Sequence, residues 1–291
     1  MNFKYDLAQI LKEELMQSGI NIPADWDDYH ICMNYLQISH RWFNSSVPYR
    51  VIYSKELMEK LPLLTKTERD ALRDIEERLG CCKSLTSYMS RDISKTEIKK
   101  SDFLLKNWDI YHLHLEQLLP PKIRYTLPNL LFFQPKGSVV HFIDIKPHPK
   151  GATWFDRDLL EIIYKNWPWL LKYLKGLKPT QSISDNQIHD ALKHCVTFLE
   201  FHGGVLMPTN IGVASSGDSS MAVRETDRIF NSLKKSEEYL KNNEEEIKNH
   251  ISNELGINIG FPLDYELIIE NGFFVAYEKT TKLKQKLFRT V

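Results

Sequence analysis

The chain has no excess of charge of either sign, few cysteines and no long apolar run. Lys plus Arg and Asp plus Glu are 38 each, so the formal net charge is zero. That excludes an overall electrostatic sponge for nucleic acid and leaves only a local basic surface open. The four cysteines, Cys32, Cys81, Cys82 and Cys195, match no zinc spacing. They are also too sparse for a disulfide scaffold, which fits a reducing compartment. The opening MNFKYDLAQILKEEL carries acids and lysines throughout, so no secretory signal is expected. No apolar segment approaches the ~20 residues needed to cross a bilayer. Internal repeats, low-complexity tracts and cofactor signatures are lacking too. These absences predict a cytoplasmic protein with no membrane contact and no cofactor.

What is present is ordinary globular usage, with 42% apolar and 26% charged residues. At ~150 residues per domain, 291 residues give two domains, or one core with a helical attachment. The pattern divides into a helical region over 1–84, a central α+β region over 85–180 and a helical region over 181–291. In the first, Leu7, Ile10, Leu11, Leu15 and Ile20 predict an amphipathic helix closing near Gly19. Trp26, Tyr29, His30, Met33, Leu36 and His40 predict a second helix over 25–43. Residues 49–53 read as a short strand, and Thr65 opens a helix with Leu72, Ile75 and Leu79 inward and Gly80 as its C-cap.

The period changes after residue 108. Residues 109–115 alternate, placing His112, His114 and Glu116 on one strand face. Residues 129–134 and 139–146 are compact strands around a Pro135–Ser138 turn, so 109–148 predicts a small antiparallel sheet. Helix is expected over 154–177, divided or kinked at Pro168, and again over 184–201. Residues 223–255 read as one helix of ~50 Å. Its stripe of Ile229, Leu233, Leu240, Ile247, Ile251 and Leu255 is long enough to serve a homodimer or protein partner. Tyr265–Ile269 and Phe273–Tyr277 flank Asn271-Gly272, the strongest hairpin signal in the chain. The class is α+β, with helices on either side of the central sheet and a C-terminal β-hairpin.

Chemistry concentrates between Trp108 and Trp154. Four of the ten histidines lie within 112–148, beside arginine and lysine. If the strands are neighbours, His112, His114, Arg124, Asp144, Lys146 and His148 converge. Such a patch fits metal-free cleavage of RNA: histidines as base and acid near neutrality, with Arg124 or Lys146 meeting the phosphorane charge. The alternative is a metal-dependent nuclease or hydrolase using His112, His114, Asp144 and His148 as ligands. A D-x-K nuclease strand at Asp144-Ile145-Lys146, with Glu116 or Asp109 as its earlier acid, is a weaker match. The plain alternative is a polar sheet face, with Trp108, Trp154 and Trp167 in the core. Residues 215–220 read as a serine-rich surface loop or as a backbone cradle for an anion.

The segments Ser101–Leu115, Asn129–Phe133, Phe142–His148 and Asn166–Pro168 resemble an uncharacterised bacterial family with a W-x-I-x-H-L-H-L strand. The resemblance covers about residues 85–170 and implies kinship without a transferable activity. Where that family's last histidine is followed closely by glycine and tryptophan, this chain inserts Pro149-Lys150-Gly151-Ala152-Thr153 before Trp154. The order strand, arginine, strand, turn, strand, histidine also resembles the small sheet of RelE- and barnase-type ribonuclease toxins. It implies an endoribonuclease of toxin or phage-defence type, with RNA as partner.

Overall fold

A computed structural model describes residues 1–43, 47–90, 102–116, 129–148, 156–177, 187, 198–210, 212–256 and 258–290. The described helices are α1 (Phe3–Gln17), α2 (Asp28–Arg41), α3 (Lys55–Lys60), α4 (Lys66–Gly80), α5 (Phe103–Trp108), α6 (Arg157–Asn166), α7 (Ser220–Asn242) and α8 (Glu244–Leu255). The strands are β1 (Arg50–Tyr53), β2 (Tyr111–His114), β3 (Asn129–Lys136), β4 (Val139–Pro147), β5 (Lys172–Lys175), β6 (Leu199–Phe201), β7 (Gly204–Met207), β8 (Tyr265–Glu270), β9 (Phe273–Glu278) and β10 (Lys284–Arg289). The class is α+β, as the alternating periods imply. Two compact units are formed, one from residues 1–36 with 222–291 and the other from 37–221. The first joins both ends of the chain, an arrangement that a division into three consecutive regions does not contain.

In the 37–221 unit the central sheet runs β1-β4-β3-β2. Strands β2, β3 and β4 are antiparallel, but β1 joins β4 in parallel, so the sheet is mixed. The β3–β4 loop is tighter than Pro135–Ser138, because Lys136 already pairs with Val139. Gly137, at φ 58°, takes the position where a two-residue hairpin loop requires positive φ. Both sheet faces are covered. On one face Leu113, Leu131, Phe133, Val140 and Phe142 pack with Leu57 of α3 and Leu72, Ile75 and Leu79 of α4. On the other, Leu130, Phe132 and Ile143 pack with Leu159, Leu160 and Ile163 of α6, and with Trp108 and Trp167. Each such side chain, fully buried, contributes roughly 1.5–3 kcal/mol.

Local signals account for several ends. Thr65 and Glu68 form a reciprocal capping box at the start of α4. That helix runs through Gly80, however, and its left-handed C-terminal residue is Cys82, at φ 54°, with the Lys83 amide returning to the Arg78 carbonyl. Helix α6 is shorter than expected and stops at Asn166. Trp167 precedes Pro168 and is forced out of helical geometry, to φ −145° and ψ 64°. Residues 172–175 are a strand rather than more helix, and Leu199–Phe201, expected as a helix end, is also a strand. Most of the helix expected over 184–201 lies outside the described residues. The small sheet β5-β7-β6 turns at His202-Gly203, both at positive φ.

In the other unit, α1 buries Phe3, Leu7, Ala8, Leu11 and Leu15. Gly19, at φ 74°, allows the Ile20 amide to reach the Leu15 carbonyl. In α2, Met33 of the expected stripe is buried together with Ile31 and Cys32, while Tyr29 and Leu36 are half-buried and His30 is exposed. Tyr29 stays half-exposed because its hydroxyl donates to Asp227. The expected 223–255 helix is two helices. It is interrupted at Asn243, where φ −110° and ψ 16° leave helical geometry, and the side-chain amide shares the Tyr239 carbonyl with the Asn243 backbone amide. Of the expected stripe, Ile229, Leu233, Leu240 and Ile251 are buried within the chain and Ile247 is half-buried. The Asn271-Gly272 hairpin forms with both residues at positive φ. It is completed by β10 into a three-stranded antiparallel sheet. No described helix is long and apolar enough to cross a membrane.

Candidate functional site

Strand β2 is an edge of the central sheet, and its alternation puts Leu113 in the core facing α4. His112 and His114 therefore emerge on the opposite face. The His112 ring lies 6.1 Å from the Phe132 ring on β3, and 6.4 Å from His114. His148, the first residue beyond β4, brings its ring to 5.8 Å from His114. The three imidazoles stand in series, with His114 in the middle, and run from half-buried to exposed.

Asp144 and Lys146 do not join this row. Register sets His112 opposite Phe132 and Phe132 opposite Asp144, while His114 faces Leu130 and Leu130 faces Lys146. One strand thus separates the acid and lysine from His112 and His114, about 9–10 Å at two strand spacings. Both are engaged elsewhere. Asp144, 1% exposed, accepts two 2.7 Å hydrogen bonds from the Lys60 ammonium and one from the Ile145 amide. Lys146 donates to Asp156 and Asp158 at 2.7 and 3.0 Å. Burial works against its ammonium, but those two carboxylates outweigh it and hold its pKa above the usual lysine value. The same contacts occupy both charged residues of the D-x-K strand, and Asp109 pairs with His40 at 3.3 Å. Arg124 lies outside the described residues, as do His189, His194 and Cys195.

The row has a carboxylate that sequence inspection did not single out. Asp102 Oδ2 sits 3.3 Å from His112 Nδ1, while Asp102 Oδ1 accepts the Leu105 amide and caps α5. Arg41, at the end of α2, lies in the field of Asp102; burial lowers its pKa and Asp102 partly opposes that. An aspartate before an apolar run is a readable N-cap. Its pairing with a histidine ten residues later is not, because the Asp109 turn, at φ 55°, sets where β2 departs. Lys60, Asp156 and Asp158 escaped notice for the same reason.

Among the described residues, no group of three or more His, Cys, Asp or Glu side chains is arranged to hold a metal ion. His141, the fourth histidine of the cluster in sequence, is buried away from the row. It contacts the Gln134 carbonyl at 3.1 Å and packs edge-on to Trp167. Burial and then Arg50 lower its pKa, against the opposing Gln134 contact. The serine-rich loop is no anion cradle. Its Ala214, Gly217, Ser219 and Ser220 amides bond to Asp218, Ala214, Gln37 and Gly212, and the Lys106 ammonium donates to the Gly217 carbonyl. Cys81 and Cys82 are exposed.

The fold and site define an α+β protein with two histidines on the edge strand of a covered sheet and a third at the end of β4. No family model, curated protein or solved structure matches the chain.

Proposed function

We propose that the His112–His114–His148 row is the catalytic centre of a metal-independent endoribonuclease. The observation that supports this reading is the spacing of the imidazoles, 6.4 and 5.8 Å between successive ring centres. Cleavage by internal transfer needs a base at the 2′-hydroxyl and an acid at the leaving 5′ oxygen. Each must come within about 2.6–3.2 Å of the atom it serves, so the two groups stand several ångström apart, one on each side of a phosphate. Histidine suits both roles because its unperturbed pKa lies near neutrality. The 2′ oxygen forms a bond to phosphorus as its proton passes to one imidazole. The bond from phosphorus to the 5′ oxygen then breaks as a second, protonated imidazole supplies the proton. The products are a 2′,3′-cyclic phosphate and a 5′-hydroxyl. The third ring, when protonated, offers positive charge to the phosphorane.

The test is cleavage of a ribo-oligonucleotide in excess chelator. The expected result is undiminished cutting with a cyclic phosphate end, and a loss of about 10²–10⁴-fold in His112→Ala and in His114→Ala. Equal cutting of the all-2′-deoxy strand, or activity that appears only with added zinc or manganese, would refute the reading. A toxin or defence setting is tested in cells: the wild type should arrest growth when expressed, and His114→Ala should not.

A further inference from the structure

We infer that Asp102 is a positioning residue that fixes the His112 tautomer and so makes His112 the base and His114 the acid of the row. This rests on the ribonuclease reading above. The two oxygens of Asp102 have separate tasks. Oδ1 is committed to the Leu105 amide at 3.1 Å, which leaves Oδ2 turned to His112 Nδ1 at 3.3 Å. Both side chains are largely out of water, 24% and 16% exposed. A carboxylate this close to Nδ1 favours the ring proton on that nitrogen and the basic lone pair on Nε2. As His112 takes the 2′ proton, the same carboxylate faces the new imidazolium. His114 has no such role assigned by Asp102 and completes the proton transfer from the next position on the strand face.

The charged groups around this pair set the direction. Asp102 is the carboxylate beside His112; Arg41 of α2 lies in the field of Asp102; His114 and His148 are the other titratable rings of the row. Arg41 is no substitute for Asp102, since a guanidinium offers His112 no acceptor.

Asp102→Asn separates the roles without removing the cap, because asparagine caps helices as well as aspartate does. With its oxygen kept on the Leu105 amide, the new NH₂ takes the place of Oδ2 and donates to His112 Nδ1. The ring must then carry its proton on Nε2, the wrong nitrogen for a base. Two readouts apply to the full-length protein. Nitrogen-15 spectra of the histidine rings report the tautomer directly, and single-turnover cleavage reports the chemistry. The expected result is an Nδ1–H tautomer for neutral His112 in the wild type and an Nε2–H tautomer in Asp102→Asn. Cleavage should slow about 10²–10⁴-fold with substrate affinity unchanged. A wild-type Nε2–H tautomer, or a tautomer switch with no loss of rate, overturns the assignment. A wild type that cuts no RNA overturns the ribonuclease reading instead, and the ring spectra still decide whether Asp102 holds His112.

Discussion

Asp144 offers a sharp separation of structural from catalytic roles. It was a natural choice for the site by sequence, yet it is buried and tied to Lys60. Replacing Lys60 by methionine keeps the aliphatic stem and removes the ammonium. Asp144 is then left with the Ile145 amide as its one described hydrogen bond. Breaking a buried ion pair from one side costs about 3–5 kcal/mol. Here the Lys60 end is 42% exposed, so water can reach the carboxylate once the ammonium is gone. The expected loss is therefore nearer 2–3 kcal/mol, about what one to two charged hydrogen bonds contribute. In urea that moves the midpoint by roughly 1–2 M. Intrinsic fluorescence is a suitable probe of this unit, because Trp26 is the only tryptophan outside residues 37–221. The double variant Lys60→Met/Asp144→Asn should recover part of the loss, since it no longer buries an unpaired charge. All three proteins should cleave RNA at rates within a few-fold of one another below the transition. If Lys60→Met left the midpoint unchanged, or if Asp144→Asn abolished cleavage without altering stability, the structural assignment of Asp144 would be wrong.

Glu278, fully buried, accepts the amides of Asp264, Thr280 and Thr281 and the Thr281 hydroxyl. Burial alone would raise its pKa, but those donors hold it below the ordinary carboxylate value. Its contribution is present above that ordinary value and lost as pH falls through its own lower one. Glu278→Gln should cost about 2–3 kcal/mol at pH 7 and progressively less towards pH 3, read by hydrogen exchange at the 280–281 amides; a constant difference across pH would count against it. His141 works through the same sign: buried neutral, with a lowered pKa, it adds nothing adverse above the usual histidine value and destabilises the fold as pH falls below it. His141→Gln should therefore lose less stability than the wild type between pH 7 and 5 in parallel urea titrations. Cys82, exposed at φ 54°, pays the left-handed penalty, so Cys82→Gly should raise stability by about 0.5–1 kcal/mol. A thermal shift to lower temperature would contradict that.

The elements were legible where the signal is local. The Asn271-Gly272 turn, the helix start at Thr65 and the alternation of His112, Leu113 and His114 each act within four residues. Side-chain period and backbone preference decide such features before the rest of the chain is placed. The helix break at Pro168 was legible because proline acts on the residue before it, whereas the helix ends at Gly80 and Asn243 were not.

The histidine row was half legible. The i, i+2 spacing put His112 and His114 on one face, and the strand end brought His148 near them. Grouping by sequence proximity also drew in Asp144 and Lys146, which lie beyond β3 and bind partners that no spacing rule relates to them. Sequence alone determined the α+β class, the tight turns, most strands and the shared face of two histidines, because these follow from periodicities of two and 3.6 and from turn chemistry. Tertiary structure decided the rest: β1 entering in parallel beside β4, a unit assembled from both chain ends, Lys60 on Asp144, the two aspartates on Lys146, and Asp102 on His112. Each of those depends on where distant segments come to rest, and an ion pair's strength falls with a distance that only the folded chain sets.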